Sequence, residues 1–301
     1  MTSTRNLSPP AWLQCLTQLT LFLIGLIWMG WAAGSSVSSK ESSEVQSVTF
    51  KSSDGLKIYG TLYQPKGDGP FPAIVRVHGG ISGHALLRAD DFFVDHGYVV
   101  LDVDYRGSDG HGKEFKNKLT MGGKEVEDVI AGGKFLQSLA DIQKDKLAIM
   151  GESRGAYITY CAIARANPFK VAAAISGFTD LVKQYDYESD IAPNFGGMQR
   201  LMSGSPLSAP EKYRDLSPVH FASKINVPVL IVHGNNDRLV LPEHAWKMDE
   251  ELGKSQKEHD IVILYAPEED TGHTLKGKAL ETAQESILKW FSQHLFPEKK
   301  K

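Results

Sequence analysis

Gly151-Glu152-Ser153-Arg154-Gly155 constrains this chain more than any other stretch. An apolar run, Lys146-Leu147-Ala148-Ile149-Met150, precedes it, and Ala156 to Ala164 follows with the character of a helix. Strand, G-x-S-x-G, helix is the context of a nucleophile elbow. The turn is so sharp that small residues must flank the serine, whose Oγ then stands clear of the sheet with a helix N-terminus beneath it. A plain Gly-rich turn with a bystander serine uses the same letters. What else the chain brings to that turn therefore decides its meaning.

The surrounding pattern predicts an α/β fold with a mostly parallel sheet covered by helices on both faces. Val45–Lys51 and Leu56–Gln64 read as two strands joined at Ser53-Asp54-Gly55, a turn signal. Further apolar strands are expected at Ala73–Val77, Tyr98–Val103, Val171–Ile175, Val227–His233 and Ile261–Tyr265. Helices are expected at Leu86–His96, Lys124–Leu139 and Lys278–Phe291. Phe178 to Ser217 has no sheet pattern. It reads either as a short cap over a site or as a surface excursion, since long irregular stretches are often lids.

A serine hydroxyl needs a base, and the base needs a carboxylate to fix its tautomer. On this fold the partners follow the serine in the order acid, then histidine. Asp237 lies just past the strand ending His233-Gly234, and His273 lies past the last strand. Both fall at carboxyl ends of parallel strands, the sheet edge on which open α/β sheets build their sites. The chain has ten histidines. His96, His220 and His259 precede strands, His244 and His294 sit within helices, and His78 and His233 come too early in chain order. Asp180, after the strand that follows Ser153, remains a rival to Asp237. Glu269 and Asp270 are too near His273 in sequence to orient it easily. Two backbone N–H donors are needed for an oxyanion. Arg154, after the serine, is one candidate, and Gly80 in His78-Gly79-Gly80 is the other.

Composition narrows the partners. With 301 residues the chain holds one large α/β domain or two small ones. A formal charge of −3 leaves no basic footprint for nucleic acid. Of two cysteines, Cys15 lies in the N-terminal segment and Cys161 in the helix after Ser153, where it reads as a small buried apolar residue. No Cys/His cluster has metal-ligand spacing, and no cofactor is expected.

The N-terminus is read apart from the fold. The uninterrupted apolar run Leu21–Ala33 is short for a membrane span of about 20 residues and suits a signal peptide cleaved near Ala32-Ala33-Gly34. Extended back to Trp12, with Trp28 and Trp31 at an interface, it suits an uncleaved membrane tether. Residues 1–34 are thus leader or anchor, 35–44 a Ser-rich linker, 45–296 the globular domain and 297–301 a basic tail. In either case the domain is expected to be exported, periplasmic or extracellular.

Several segments in order resemble the catalytic domain of the prolyl oligopeptidase family of serine peptidases, within the α/β-hydrolase superfamily. They are His78-Gly79-Gly80, Asp104-Tyr105-Arg106-Gly107-Ser108 with Gly110-His111-Gly112, the Ser153 elbow, Ser217-Pro218, Val227 to Gly234, Asp237, and Gly272-His273. The resemblance runs from about Ala73 to Phe296 and implies nucleophile Ser153, acid Asp237 and base His273. It implies that Asp104–Gly107 is mainly structural. Large family members carry a β-propeller before this domain, and only about thirty residues separate the linker from His78, so none is expected here. Arg154 stands where the family often has an aromatic, and its side chain is expected to bind an acidic group or face solvent. The resemblance implies cleavage of short peptides. A carboxylesterase acting on small acyl esters is the alternative, and a noncatalytic binding protein on the same fold is a third.

Overall fold

Eight strands form one sheet, and their order places the elbow at its centre. The strands are β1 (Glu44–Lys51), β2 (Lys57–Gln64), β3 (Phe71–Val77), β4 (Val99–Asp104), β5 (Ile142–Glu152), β6 (Val171–Ile175), β7 (Val229–Gly234) and β8 (His259–Leu264). Their order is β1-β2-β4-β3-β5-β6-β7-β8. β1 and β2 pair antiparallel, as do β2 and β4, while β3 to β8 run parallel. This is the α/β-hydrolase architecture expected from the sequence, in a computed structural model that describes residues 44–80, 92–191, 201–265 and 271–297.

The parallel strands read as unbroken apolar runs because each is buried on both faces. Neighbours in sequence go to opposite cores. Val75, Leu101, Ile149 and Ile231 enter one, and Ile74, Val100, Met150 and Leu230 enter the other. The first core is closed by α3 (Lys124–Ser138), α4 (Arg154–Ile163) and α7 (Glu243–Lys254), through Val126, Val129, Ile158 and Met248. The second is closed by α8 (Gly277–Leu295), with Phe93 from the short α1 (Phe92–Asp95) beside it. α8 buries Ala279, Ala283, Ile287, Phe291 and Leu295, one apolar residue per turn. Each fully buried Ile or Phe of this kind contributes about 1.5–3 kcal/mol by leaving water.

Elements extend past their apolar signal. β5 begins at Ile142 and α8 ends at Leu295, because backbone pairing and helix bonds continue through polar residues. A one-turn helix, α2 (Lys113–Lys116), follows Gly110-His111-Gly112. Phe178–Ser217 contains α5 (Leu181–Ile191) and α6 (Pro210–Leu216), and no strand among its described residues. Most of the helix expected at Leu86–His96, and the N-terminal leader or anchor, fall outside the described residues. Among the described residues no helix is long and apolar enough to cross a membrane.

Arg106, after β4, ties the outer hairpin to the body. Its Nε donates to Asp128 Oδ2 at 2.8 Å and Nη2 to Asp128 Oδ1 at 2.7 Å. Nη1 donates to Asp54 Oδ2 at 3.0 Å, in the β1–β2 turn. Asp128 is fully buried on α3, so its charge is tolerable only with this bidentate partner and the Ser52 hydroxyl at 2.5 Å.

Candidate active site

The sheet order turns around β3, whose neighbours are β4 on one side and β5 on the other. Crevices at such a switch point, outside the carboxyl ends of strands, are where open α/β sheets hold ligands. Val77 pairs with Gly151, so the residues after β3 and after β5, Gly79-Gly80 and Ser153, emerge side by side.

Ser153 joins β5 to α4 with φ 55° and ψ −119°, a conformation that costs a side chain of order 1–3 kcal/mol. The flanking glycines make it possible. A Cβ on Gly151 would lie 2.2 Å from the Gly155 carbonyl oxygen, and one on Gly155 would lie 2.0 Å from that of Val77. The turn is held by Ser153 N–H donating to Ile175 O at 2.9 Å, and by Ala156 and Tyr157 N–H donating to Ser153 O.

The three residues singled out in the sequence meet here. His273 Nε2 lies 2.9 Å from Ser153 Oγ, and His273 Nδ1 lies 2.8 Å from Asp237 Oδ2. Nδ1 facing a carboxylate must carry the ring proton, which leaves Nε2 as the acceptor for the serine proton. Asp237 is sealed from solvent, whereas the His273 side chain is 16% exposed. The carboxylate therefore sits at the floor and the imidazole at the rim.

Asp237 is held from every side. Oδ1 accepts from Leu239 N and Val240 N, both at 2.9 Å. Oδ2 is shared between His273 and His233, whose Nε2 is 3.3 Å away and also donates to Val240 O at 2.8 Å. Burial alone would raise the Asp237 pKa. The hydrogen bonds from His233 and His273 outweigh it and hold the carboxyl well below the usual range. The His273 segment is docked onto the Asp237 loop by Asn236, whose Nδ2 donates to Thr271 Oγ1 at 2.8 Å and whose N–H donates to Thr271 O at 3.1 Å.

Asp180 is elsewhere. Its Oδ1 accepts from Val182 N and Lys183 N, so it caps the start of α5. Among the other histidines, His78 and His244 are buried against other partners, and the buried His233 meets the Asp237 carboxylate rather than Ser153. His259 pairs with Asp249 and His294 with Glu258. Glu269 and Asp270 lie outside the described residues. Of the oxyanion candidates, Arg154 N–H is in the first turn of α4, where helix geometry leaves donors unpaired. Gly80 follows β3 with φ 56°. The Arg154 side chain is partly exposed, and its hydrogen bond goes to a backbone carbonyl rather than to an acidic group. It folds back, and Nη1 donates to Gly80 O at 3.1 Å. Cys161 is buried beneath Tyr157, and burial pushes its thiol up to about 12, which makes it inert as a nucleophile.

Sequence reasoning missed His233, Asn236 and the Arg154 contact. His233 had a signal, its i, i+4 spacing to Asp237 across a tight turn, but chain order set it aside. α5 was also unseen. It bears on the site because Gln184 Nε2 donates to Leu239 O at 3.1 Å and Tyr187 hydroxyl to Arg238 O at 2.8 Å. Among the described residues no group of three or more His, Cys, Asp or Glu is arranged to hold a metal ion.

The model of the prolyl oligopeptidase family matches residues 88–297. A shorter match, to acetyl xylan esterase, covers residues 35–133. Among curated proteins, the chain is 27% identical to an uncharacterized peptidase of Bacillus subtilis, YuxL, over 83% of this chain and 39% of that protein. It is 29% identical to a second from the same organism, YtmA, over 68% of this chain and 78% of that one. Among solved structures, a puromycin-hydrolyzing peptidase of Mycobacterium tuberculosis superposes with TM-score 0.73 at 25% identity, over 86% of this chain and 40% of that one. An acylaminoacyl peptidase of Pyrococcus horikoshii matches with TM-score 0.73 at 23% identity, over 87% and 43% of the two chains. The chain thus spans well under half the length of several proteins it resembles.

Proposed function

Because this chain belongs to the prolyl oligopeptidase family, we propose that it is a serine peptidase that cleaves short peptides through Ser153, His273 and Asp237. The observation that carries the proposal is the continuous hydrogen-bonded run from Ser153 Oγ through His273 to the buried Asp237. Ser153 Oγ attacks the scissile carbonyl carbon and its proton passes to His273 Nε2. Asp237 holds the ring and balances the charge on the imidazolium. The N–H groups of Arg154 and Gly80 receive the oxyanion. His273 then gives its proton to the leaving amine as the C–N bond breaks. Water attacks the acyl-enzyme, passes a proton to His273, and the acid leaves as Ser153 is reprotonated.

Carboxylesterase action on small acyl esters is the second reading, favoured by the acetyl xylan esterase match over residues 35–133. The chemistry is the same with an alkoxide as leaving group. The purified protein should be assayed against a peptide library and p-nitrophenyl esters of graded chain length. Peptide cleavage that disappears in Ser153→Ala is expected. Strong ester turnover with no peptide cleaved would replace the first reading with the second. Export belongs to the proposal too, supported by the apolar run Leu21–Ala33, and fractionation of cells producing the full chain tests it.

A further inference from the structure

Gly80 has no side chain to hold it, it is exposed, and among the described residues nothing beyond its chain neighbours lies within 4 Å of where its Cβ would be. An oxyanion donor is useful only if it is already aimed before charge develops, because reorienting a dipole during reaction forfeits most of its effect. Something else must therefore fix the direction of the Gly80 N–H. That N–H belongs to the Gly79–Gly80 peptide, which is trans. In a planar trans peptide C=O and N–H point in opposite directions, so holding one aims the other.

The carbonyl of this peptide is held. His78 Nδ1 lies 2.9 Å from Gly79 O. A carbonyl oxygen only accepts, so Nδ1 carries a proton. The ring itself is locked. It is 3% exposed and stacks on Tyr105, with centroids 4.5 Å apart and planes 14° from parallel. His78 Nε2 lies 2.7 Å from Ser108 Oγ. The Tyr105 hydroxyl donates to His78 O at 3.1 Å. Ser108 Oγ also lies 2.7 Å from Tyr105 O, so its single proton serves either that carbonyl or His78 Nε2. Tyr105 O already accepts from Ser108 N–H at 3.0 Å, so the hydroxyl proton can go to His78 Nε2, and the ring, which burial keeps neutral, carries its own proton on Nδ1. The next carbonyl along, Gly80 O, accepts from Arg154 Nη1. The position is also sterically set. A Cβ on Gly79 would lie 2.9 Å from Ser153 Cβ and 2.9 Å from Glu152 O, so the loop runs directly against the nucleophile.

The geometry points to His78 and Arg154 as the positioning residues of the oxyanion site. They hold the two carbonyls on either side of the Gly80 N–H and so aim a donor that the backbone alone leaves free to turn. This rests on the function proposed above. Neither side chain touches the reacting atoms in this role. Both act through the peptide they hold.

The test measures kcat, KM and affinity for a peptidyl boronic acid, whose tetrahedral adduct on serine mimics the transition state. Three variants of the full chain are compared. His78→Phe keeps the ring stack but has no donor. His78→Asn returns an N–H close to the position of Nδ1–H. Arg154→Met removes the second hold on a half-exposed side chain. Removing a donor outright costs about 10²–10³-fold in kcat, so misaiming one in His78→Phe should cost about 10- to 100-fold. Boronate affinity should fall with kcat, while KM stays within about threefold. His78→Asn should recover most of the loss. Arg154→Met should lose kcat by about three- to tenfold with the same KM-independent signature. The inference is overturned if His78→Phe or Arg154→Met keeps both kcat and boronate affinity. It is equally overturned if either loses only through KM, or if His78→Asn is as impaired as His78→Phe while melting like the parent. Should His78→Phe fail to fold, Arg154→Met and His78→Asn still decide the matter. Ser153→Ala is measured in parallel. Turnover surviving in Ser153→Ala defeats the proposed function itself, whereas a dead Ser153→Ala beside unimpaired His78 and Arg154 variants defeats only this inference.

Discussion

At the scale of single residues, three histidines do different jobs in this chain. His273 stands at the rim, where its ring can exchange a proton with Ser153. His233 is fully buried and gives one N–H to the Asp237 loop, leaving its Nδ1 without a partner among the described residues. His244 is also buried, but its Nδ1 is an acceptor, facing Thr179 N–H at 3.2 Å and Asp180 N–H at 3.4 Å. A proton on that nitrogen would point at two donors. Burial first, with the nearby Lys183 charge, pushes His244 down to about 4. The unfolded chain takes up this proton near pH 6.5, so between there and about pH 4 the unfolded state binds more protons than the folded one. Stability from this group is therefore complete above pH 6.5 and falls as the pH drops, by on the order of 2–3 kcal/mol across the window. Denaturant titrations at a series of pH values should show that slope reduced in His244→Gln. An unchanged slope would mean that His244 is not held neutral. Chain order and strand ends were enough to find Ser153, Asp237 and His273 in the sequence. The partners of His233, Arg154 and Asp180 were not, because a residue's hydrogen bonds depend on loops that fold back, and a strand pattern says nothing about them.

At the scale of elements, the approach of α4 to β3 decides whether the elbow forms. Gly155 lies in the first turn of α4, and a methyl group there meets the Val77 carbonyl and then that of His78, at 2.0 and 2.8 Å. Both atoms are backbone of a central strand and its exit, which cannot move without disturbing the pairing of Val77 with Gly151 and Val103. Gly155→Ala is therefore expected to lower stability by about 2–3 kcal/mol, as overpacking does in rigid cores. It should also slow turnover, because the shift passes straight to Ser153. Denaturation midpoints and kcat on the same preparation check both. A variant as stable and active as the parent would show that the helix approaches less closely. Elements buried on two faces, such as β6 and β7, were legible as apolar runs. α5 was not. Its residues Lys183, Gln184, Asp186, Glu188, Ser189 and Asp190 give a polar stretch whose role comes from contacts with the Asp237 loop.

At the scale of the whole molecule, the site exists because four separated segments end on one edge of one sheet. The Gly79-Gly80 loop follows β3, Ser153 follows β5, Asp237 follows β7 and His273 follows β8. Parallel pairing fixes that edge, and the two cores on either face make it rigid enough to hold a serine in a strained turn. Parallel order could be expected from alternating strands and helices. The position of the outer β1–β2 hairpin, held by Arg106, came from a buried ionic network that no periodicity signals.

The central claim is that Ser153 becomes acylated. Treating the purified full chain with a fluorophosphonate probe and mapping the adduct by mass spectrometry tests it directly. One label is predicted, on the peptide carrying Ser153. It should be absent in Ser153→Ala and formed far more slowly in His273→Ala. A folded protein that takes no label, or that labels equally in Ser153→Ala, would contradict the account.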